Sequence, residues 1–149
     1  MPPLWIGVDP PNGWAVAEVD TKSLVAWGIE TSLPALRESL EPYLRSGNVE
    51  LITYETPNLK YGKSSAQNLR CEGVLLDLAD RFSVGIVGVA PVAVKTQVVG
   101  RKKATKGEVL KGARKILDIP QSFRVDHASD AAGVIAAVIR QREGKAEAA

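Results

Sequence analysis

The sequence predicts an α/β domain built on a mixed five-stranded sheet flanked by helices, with an antiparallel meander followed by parallel strands. Three short apolar runs come first and are joined by tight turns, which is typical of antiparallel strands. Helical patterns then precede the fourth and fifth runs, and a crossover helix of this kind implies parallel pairing. Further helical patterns end the chain.

The first two strands are predicted to form a hairpin over residues 4–19. An apolar run from Leu4 ends at Asp9, a turn of proline, asparagine and glycine follows, and the second run extends from Trp14 to Val19. Neither run alternates strongly, which indicates strands that are covered on both faces. A carboxylate at the end of such a strand is costly to desolvate unless donors or a cation meet it. Asp9 is therefore either an ordinary Asx-turn residue or part of a cation site.

The later elements are bounded by turn residues and by helix caps. The predicted strands are Leu24–Glu30, Val49–Glu55 and Val84–Val89. The predicted helices are Leu33–Leu44 with Ser32 as cap, Ser64 or Ser65 to about Phe82, a helical or irregular segment from Pro91 to Gly100, a helix to about Leu117 that opens with a Thr105–Glu108 capping box, and His127–Gln141 with Asp126 as cap. We expect one domain over residues 1–142 and a frayed tail over 143–149.

The long helix that ends at Phe82 carries apolar residues on two faces. The two stripes are Ala66, Leu69, Gly73 and Leu76, and Cys71, Leu75, Leu78 and Phe82. A helix that is apolar on more than one face is buried on more than one face. In a small domain the second face is expected to meet another subunit, which predicts a homodimer.

The composition excludes several other classes of protein. No apolar run approaches the ~18 to 20 residues of a membrane span, and the N-terminus carries no secretory pattern. The single cysteine, Cys71, rules out an internal disulfide and fits a reducing compartment. Cys71 lies in a helical apolar pattern, so a buried thiol is favoured over a catalytic pair with His127. We therefore expect a cytoplasmic protein that does not contact membranes.

The formal net charge of +2 is unevenly distributed. Between residues 95 and 115 eight basic residues stand against one glutamate, so this stretch carries +7 and the remainder −5. The eight are Lys95, Arg101, Lys102, Lys103, Lys106, Lys111, Arg114 and Lys115. A basic stretch on an acidic body is typical of a protein that binds a polyanion. A solvated helix face normally carries interspersed acids as partners, and these are scarce here, so nucleic acid is favoured.

Acidic residues recur at places where elements of the sheet begin or end. Asp9 ends the first strand and Glu55 the fourth, and these two strands can lie side by side in a sheet of this order. His127 and Asp130 share a face in the first turn of the last helix. Carboxylates that converge from three elements are what Mg²⁺ or Mn²⁺ select. Two such ions can activate water and stabilise the leaving oxygen of a phosphodiester.

Four motifs carry a resemblance to a known family. In this order and spacing, WIGVDP, LITYETP, VKTQVVGRKKATKGEV and DHASDAAGVIAAV resemble successive motifs of the RuvC-type Holliday junction resolvases, which have the ribonuclease H-like fold. The resemblance spans nearly the whole chain. It implies a homodimeric endonuclease that resolves four-way DNA junctions by symmetric hydrolysis. It also implies two Mg²⁺ ions in each active site, for which Mn²⁺ substitutes.

The resemblance carries specific roles over to this sequence. Asp9, Glu55 and Asp130 resemble the metal-binding carboxylates of the family. His127 falls at a position that is aspartate in some members and histidine in others, so it is expected either as a fourth ligand or as a residue that orients water. Lys106 matches a lysine that contacts the substrate beside the active site. These five residues are the expected catalytic group.

Two basic segments are expected to contact DNA. The predicted contact residues are Lys60, Tyr61, Lys63, Arg101, Lys102, Lys103 and Lys106. Tyr61 is the aromatic candidate for insertion at the branch point, because Asn58 stands where the family tends to carry an aromatic residue. Pro11 also replaces a glycine that the family usually has, which indicates a divergent member; the sequence leaves host and phage origins open.

Other functions remain open at this point. A ribosomal-RNA-processing nuclease of the same superfamily shares the first strand motif. A non-catalytic module that binds branched DNA would share the basic stretch. A sugar-kinase or chaperone-type ATPase needs two lobes, for which this chain is too short. Nothing in the sequence indicates a partner among branch-migration proteins.

Overall fold

Five strands and five helices make up the part of the chain that the computed structural model describes, which is residues 2–57 and 62–148, without the side chains of 62–65 and 145–148. The strands are β1 (Leu4–Asp9), β2 (Gly13–Glu18), β3 (Ser23–Ile29), β4 (Val49–Glu55) and β5 (Gly85–Val89). The helices are α1 (Leu33–Arg45), α2 (Gly62–Phe82), α3 (Pro91–Val98), α4 (Lys106–Arg114) and α5 (His127–Ala148).

The strands form one sheet in the order β3-β2-β1-β4-β5. β2 pairs antiparallel with both β1 and β3, whereas the β1–β4 and β4–β5 pairs are parallel. The predicted mixed sheet is confirmed. Val8 lies opposite Tyr54 across the β1–β4 pair. Because these strands run in the same direction, Asp9 and Glu55 end them at the same edge of the sheet, where α/β proteins bind their ligands.

Helices cover both faces of the sheet, and each face has its own apolar core. On one face Trp5 and Ala15 pack against α3, α4 and α5. On the other face Ile6, Val8 and Val16 pack against α1 and α2. Successive residues of the two central strands are thus buried on opposite faces, which is why their sequences show little alternation.

The long helix α2 has one buried and one exposed apolar face. Cys71, Leu75 and Leu78 are fully buried against the sheet, whereas Leu69 is 45% and Leu76 48% exposed. The two predicted stripes therefore lie in different surroundings. Burial raises the pKa of the Cys71 thiol to about 12. This cysteine is a packing residue, as its sequence context indicates.

Three helix boundaries differ from the prediction. α2 begins at Gly62, so Ser64 and Ser65 lie inside its first turn and do not cap it. α4 ends at Arg114, because the chain tightens there into a turn with a hydrogen bond between residues three apart. α5 continues to Ala148, since its last residues are mostly alanine, glutamate and lysine, which favour a helix.

The last helix, α5, lies unusually close to the central strand. A Cβ atom at Gly7 of β1 would lie 2.4 Å from the carbonyl oxygen of Ala131 and 2.6 Å from Cγ1 of Ile135. Fully buried alanines, among them Ala132 and Ala136, form much of the facing side of the helix. Small residues on both partners therefore allow the helix to lie directly on the sheet.

We expect Gly7→Ala to lower the free energy of unfolding by about 1 to 3 kcal/mol, because the added methyl group must displace backbone atoms of α5. Chemical denaturation of the two proteins measures the difference. Gly144→Ala, in α5, is the control, since a Cβ there meets no atom within 4 Å beyond the adjacent backbone of its own helix. A Gly7→Ala protein as stable as the wild type would contradict the close packing of α5 on β1.

Candidate active site

A cavity of about 270 Å³ lies at the edge of the sheet where β1 and β4 end. Its charged and titratable lining residues are Asp9, Glu55, Lys95, Lys106, His127 and Asp130. The sequence predicts a site made from the ends of β1 and β4 and the start of α5. The structure brings these three elements together at one cavity.

Asp9 and His127 are in direct contact. Nδ1 of His127 lies 2.8 Å from Oδ2 of Asp9, although the two residues are far apart in the sequence. Gly13 makes this contact possible, because a Cβ atom there would lie 2.2 Å from the carbonyl oxygen of His127. The Asp9 side chain is only 11% exposed, whereas that of His127 is 51% exposed. The contact therefore joins a buried carboxylate to an accessible imidazole.

The start of α5 is fixed by its predicted cap. Oδ1 of Asp126 accepts a hydrogen bond from the Ser129 amide at 2.9 Å, and Oγ of Ser129 accepts one from the Asp126 amide at 2.9 Å. This reciprocal pair satisfies amides that a helix N-terminus leaves unpaired. It holds the first turn of the helix, so His127 and Asp130 point towards the same cavity.

Three of the predicted ligands form a compact group. One ligand atom from each of Asp9, His127 and Asp130 lies within 4.8 Å of the others, which is close enough for the three to hold one metal ion. Glu55 lines the same cavity, but its carboxylate oxygens are not part of this close group. The structure thus places all four predicted ligands at one site, three of them close together.

The two strand-end carboxylates have perturbed acidities. Burial, reinforced by the charges of Asp9 and Asp130, raises the pKa of Glu55 to about 7 from 4.5. Burial also raises the pKa of Asp9 to about 6 from 3.8, against the opposing hydrogen bond of His127. Carboxylates that are both desolvated and near like charges favour a bound proton or a bound cation.

Lys106 contacts one of the carboxylates from the solvent-exposed side of the cavity. Nζ of Lys106 donates a hydrogen bond to Oδ2 of Asp130 at 3.1 Å, and this contact raises the pKa of Lys106. Lys106 is the first residue of α4, and its predicted capping box between Thr105 and Glu108 is present. The Lys106 side chain is 65% exposed and is therefore accessible to a substrate as well.

Lys95 belongs to the basic stretch, but the sequence did not predict it as a residue of the active site. Lys95 lines the cavity, and its charge lowers the pKa of Glu55. The available signal was its position one turn into α3, a helix that begins at Pro91, directly after β5. The residue after a parallel strand lies at the same sheet edge as Asp9 and Glu55, so Lys95 was a candidate.

The predicted DNA contacts divide into two groups. Arg101, Lys102 and Lys103 are exposed on the loop between α3 and α4. Arg101 forms an ion pair with Glu108. The predictions for Lys60, Tyr61 and Lys63 lie outside the residues and side chains that the structure describes.

Arg114 does not belong to an exposed basic surface, although the sequence counts it in the basic stretch. Its Nη2 donates to the carbonyl oxygens of Pro120, Gln121 and Phe123 at 3.5, 3.4 and 2.8 Å. Within the described part of the chain its buried Nε has no partner. Arg114 is therefore a structural residue that holds the loop leading into α5.

Comparison with known proteins identifies the family of this chain. A family model described as crossover junction endodeoxyribonuclease RuvC matches residues 14–139. The chain belongs to the RuvC family. A curated RuvC of Dictyoglomus turgidum is 26% identical over 119 residues, which are 79% of this chain and 75% of that protein.

Two solved RuvC structures from Thermus thermophilus have the same fold. One is a complex with a Holliday junction substrate, and its chain superposes with a TM-score of 0.78 at 21% identity, covering 95% of this chain and 96% of that one. The other has a TM-score of 0.74 at the same identity and coverage. The predicted ribonuclease H-like fold is confirmed by these likenesses.

Membership of the RuvC family establishes the activity. The chain is a crossover junction endodeoxyribonuclease that resolves Holliday junctions, as the sequence predicts, and the nucleases of this family are metal-dependent. The family match favours this function over the ribosomal-RNA nuclease and over the non-catalytic module. In the described residues no helix is long and apolar enough to cross a membrane.

The metal-free protein is expected to lose stability as the pH rises from about 4 to about 7. In this range the folded protein keeps protons on Asp9 and Glu55 that the unfolded chain has already released, so unfolding becomes easier by up to about 3 kcal/mol for each group. Denaturation in EDTA across this range measures the slope. Glu55→Gln should flatten it, whereas the exposed Glu50→Gln on the same strand should not. Parallel profiles for Glu55→Gln and wild type would contradict the raised pKa.

Proposed function

We propose that Asp9, Glu55, His127 and Asp130 hold two Mg²⁺ ions, which Mn²⁺ can replace, and that this centre cuts four-way DNA junctions by paired nicks. The observation that carries the proposal is the group formed by Asp9, His127 and Asp130, whose ligand atoms lie within 4.8 Å of one another. Glu55 completes the set from the next strand of the same cavity.

The chemistry of the donor set fits divalent cations of this kind. Three carboxylates supply the oxygen ligands that Mg²⁺ and Mn²⁺ prefer, and His127 adds one nitrogen donor beside them. Burial and mutual repulsion raise the pKa values of Asp9 and Glu55, and a cation in the cavity would relieve both effects. When bound, the ions activate water and stabilise the oxygen that leaves the phosphodiester.

The protein side chains have separate roles in this scheme. Asp9 is oriented by its contact with His127, so the buried ligand is positioned before substrate arrives. Lys106 binds Asp130 in the metal-free protein, and its exposed ammonium group is placed to contact a phosphate beside the cavity. Lys95 approaches the cavity on the side of Glu55 and offers a second cation to the DNA backbone.

The exposed basic loop extends this surface away from the cavity. Arg101, Lys102 and Lys103 come directly before the helix that carries Lys106, so they bind the phosphates that flank the one being cut. Lys60, Tyr61 and Lys63 contact the junction from the segment that follows Glu55. Phosphate contacts hold the strand, while the segment after Glu55 recognises the branch point.

A homodimer supplies the second active site that paired nicks require. The exposed face of α2 presents Leu69, Gly73 and Leu76 at positions that repeat along one side of the helix. A Cβ atom at Gly73 would meet nothing within 4 Å, so another backbone has room to approach there. A two-fold axis through this face matches the approximate two-fold symmetry of a four-way junction.

Asp9→Asn should lower the cleavage rate by at least about 10³-fold while junction binding stays within a few-fold of wild type, because it removes a metal ligand and no phosphate contact. Cleavage of labelled four-way junctions in Mg²⁺ and binding in EDTA measure the two effects. Asp20→Asn, in the exposed turn before β3, is the matched control.

Metal binding gives the same experiment a second readout. Mn²⁺ should raise the melting temperature of the wild type and of Asp20→Asn, and should raise that of Asp9→Asn much less. Cleavage by Asp9→Asn within tenfold of wild type, or an unchanged response to Mn²⁺, would contradict the proposed centre.

The dimer has its own test. Changing both Leu69 and Leu76 to lysine should yield a monomer by light scattering, since the charges must be buried if the faces meet. That monomer should release single nicks without paired resolution of a junction. Val92→Lys is the control, because Val92 is 49% exposed on α3 and away from this face. An unchanged mass in the double variant would exclude this face as the interface.

A further inference from the structure

A second cavity, of about 230 Å³, lies near the candidate active site and has no role in the proposed metal centre or DNA contacts. Trp27, Ser122, Phe123, Arg124 and Asp126 line it. The Trp27 and Phe123 rings are in contact, with their centroids 5.0 Å apart and their planes inclined at 60°. Trp27 is nevertheless 43% exposed on the edge strand β3. An aromatic surface therefore opens to solvent at this cavity.

The sheet register places this cavity close to the catalytic edge. Trp27 lies opposite Ala15 of β2, and Ala15 lies opposite Gly7 of β1, two residues before Asp9. Since neighbouring strands are about 4.8 Å apart, Trp27 is about 10 Å from β1 across the sheet. Asp126, which also lines the cavity, is followed directly by His127 in the sequence.

An exposed apolar residue connects the cavity with the active site. Ile29, next on the same side of β3, is 47% exposed and pairs with Gly13. Gly13 in turn lies against His127, which contacts Asp9. The surface is thus continuous from the aromatic cavity to the catalytic carboxylates.

The charges around the cavity favour an anionic ligand. Asp126 is engaged as the cap of α5 through the Ser129 amide, where the helix N-terminus offsets its charge. Arg124 is exposed, and neither a hydrogen bond nor an ion pair occupies its guanidinium among the residues that the structure describes. The indole nitrogen of Trp27 likewise has no hydrogen-bond acceptor within the described chain. A cation and an indole donor are therefore left for a ligand.

We propose that this cavity binds one nucleobase of the junction strand that is being cut, stacked on Trp27, with Arg124 on a neighbouring phosphate. The inference rests on the proposed function, because it takes the scissile phosphate to lie at Asp9. Asp9 lies two residues beyond Gly7 on β1, so Trp27 and Asp9 are about 12 Å apart. A strand advances about 3.4 Å per nucleotide along a helix, so the bound base lies about three or four nucleotides from the cut. Every base has a face that stacks on an aromatic ring, and a junction offers bases that are easily unstacked.

Fluorescent junctions identify the base. 2-Aminopurine is placed in turn at each position near the cut, and the protein is added without metal so that no strand is cleaved. With wild type, one position is expected to be quenched by stacking on Trp27. Trp27→Ala should remove the quench, and Trp27→Phe should keep it. Val25→Ala should also keep it, because Val25 is exposed on the same strand without lining the cavity.

A double change then tests whether Trp27 and that base contact each other. An abasic nucleotide at the quenched position, or Trp27→Ala with the intact junction, should each weaken binding about tenfold. The two together should lose little more than either alone, because both remove one contact. Arg124→Ala should reduce the salt dependence of binding by about one phosphate contact. Additive losses, or no quenched position, would overturn the proposal.

The outcome separates this inference from the proposed function. If the proposed centre is wrong, Asp9→Asn still cuts four-way junctions in Mg²⁺ at close to the wild-type rate, whatever residue stands at 27. If only this inference is wrong, wild type cuts junctions and Trp27→Ala binds and cuts them equally well. Circular dichroism and melting of each variant establish that its fold is retained, which the exposure of Trp27 leads us to expect.

Discussion

The helix α5 crosses the sheet so closely that β1 and β2 carry glycine at two points of contact, Gly7 against Ala131 and Gly13 against His127. This distance determines where the first turn of α5 lies. At larger separation His127 would not reach Asp9, and Asp130 would not join the group of ligand atoms. The same packing that buries the alanine face of the helix thus determines the geometry of the proposed catalytic centre.

This geometry is electrostatically unfavourable for the ionised carboxylates. Asp9 and Glu55 are desolvated beside Asp130, and their pKa values are raised to about 6 and about 7. One direct ion pair, from Lys106 to Asp130, offsets part of the repulsion. A site of this kind is least stable when its carboxylates are ionised and no cation is present. The proposed affinity for divalent cations and the expected loss of stability in their absence would thus have the same physical origin.

Much of the fold and of the candidate site could be predicted from the sequence. The apolar runs that end in Asp9 and Glu55 fix the catalytic edge, and the spacing of His127 and Asp130 places both on one face of a helix. The distances between these groups could not be predicted, because they depend on how α5 crosses the sheet.

Residues whose roles depend on long-range contacts were harder to predict. Arg114 reads as part of a basic surface, yet its guanidinium is used by three carbonyl groups of a later loop. The sequence pattern gives Trp27 no special role. Its contact with Phe123 forms because the loop between α4 and α5 packs against the edge of the sheet. Local patterns do not contain this information.

The helix α4 is tied to α5 at both of its ends. Its first residue, Lys106, binds Asp130, and its last, Arg114, holds the loop that leads into His127. A helix of nine residues is a stiff rod of about 13 Å. A force on the basic loop ahead of Lys106 is therefore transmitted to the start of α5 from two directions. If this loop binds the DNA backbone as proposed, α4 couples that contact mechanically to the alignment of His127 and Asp130.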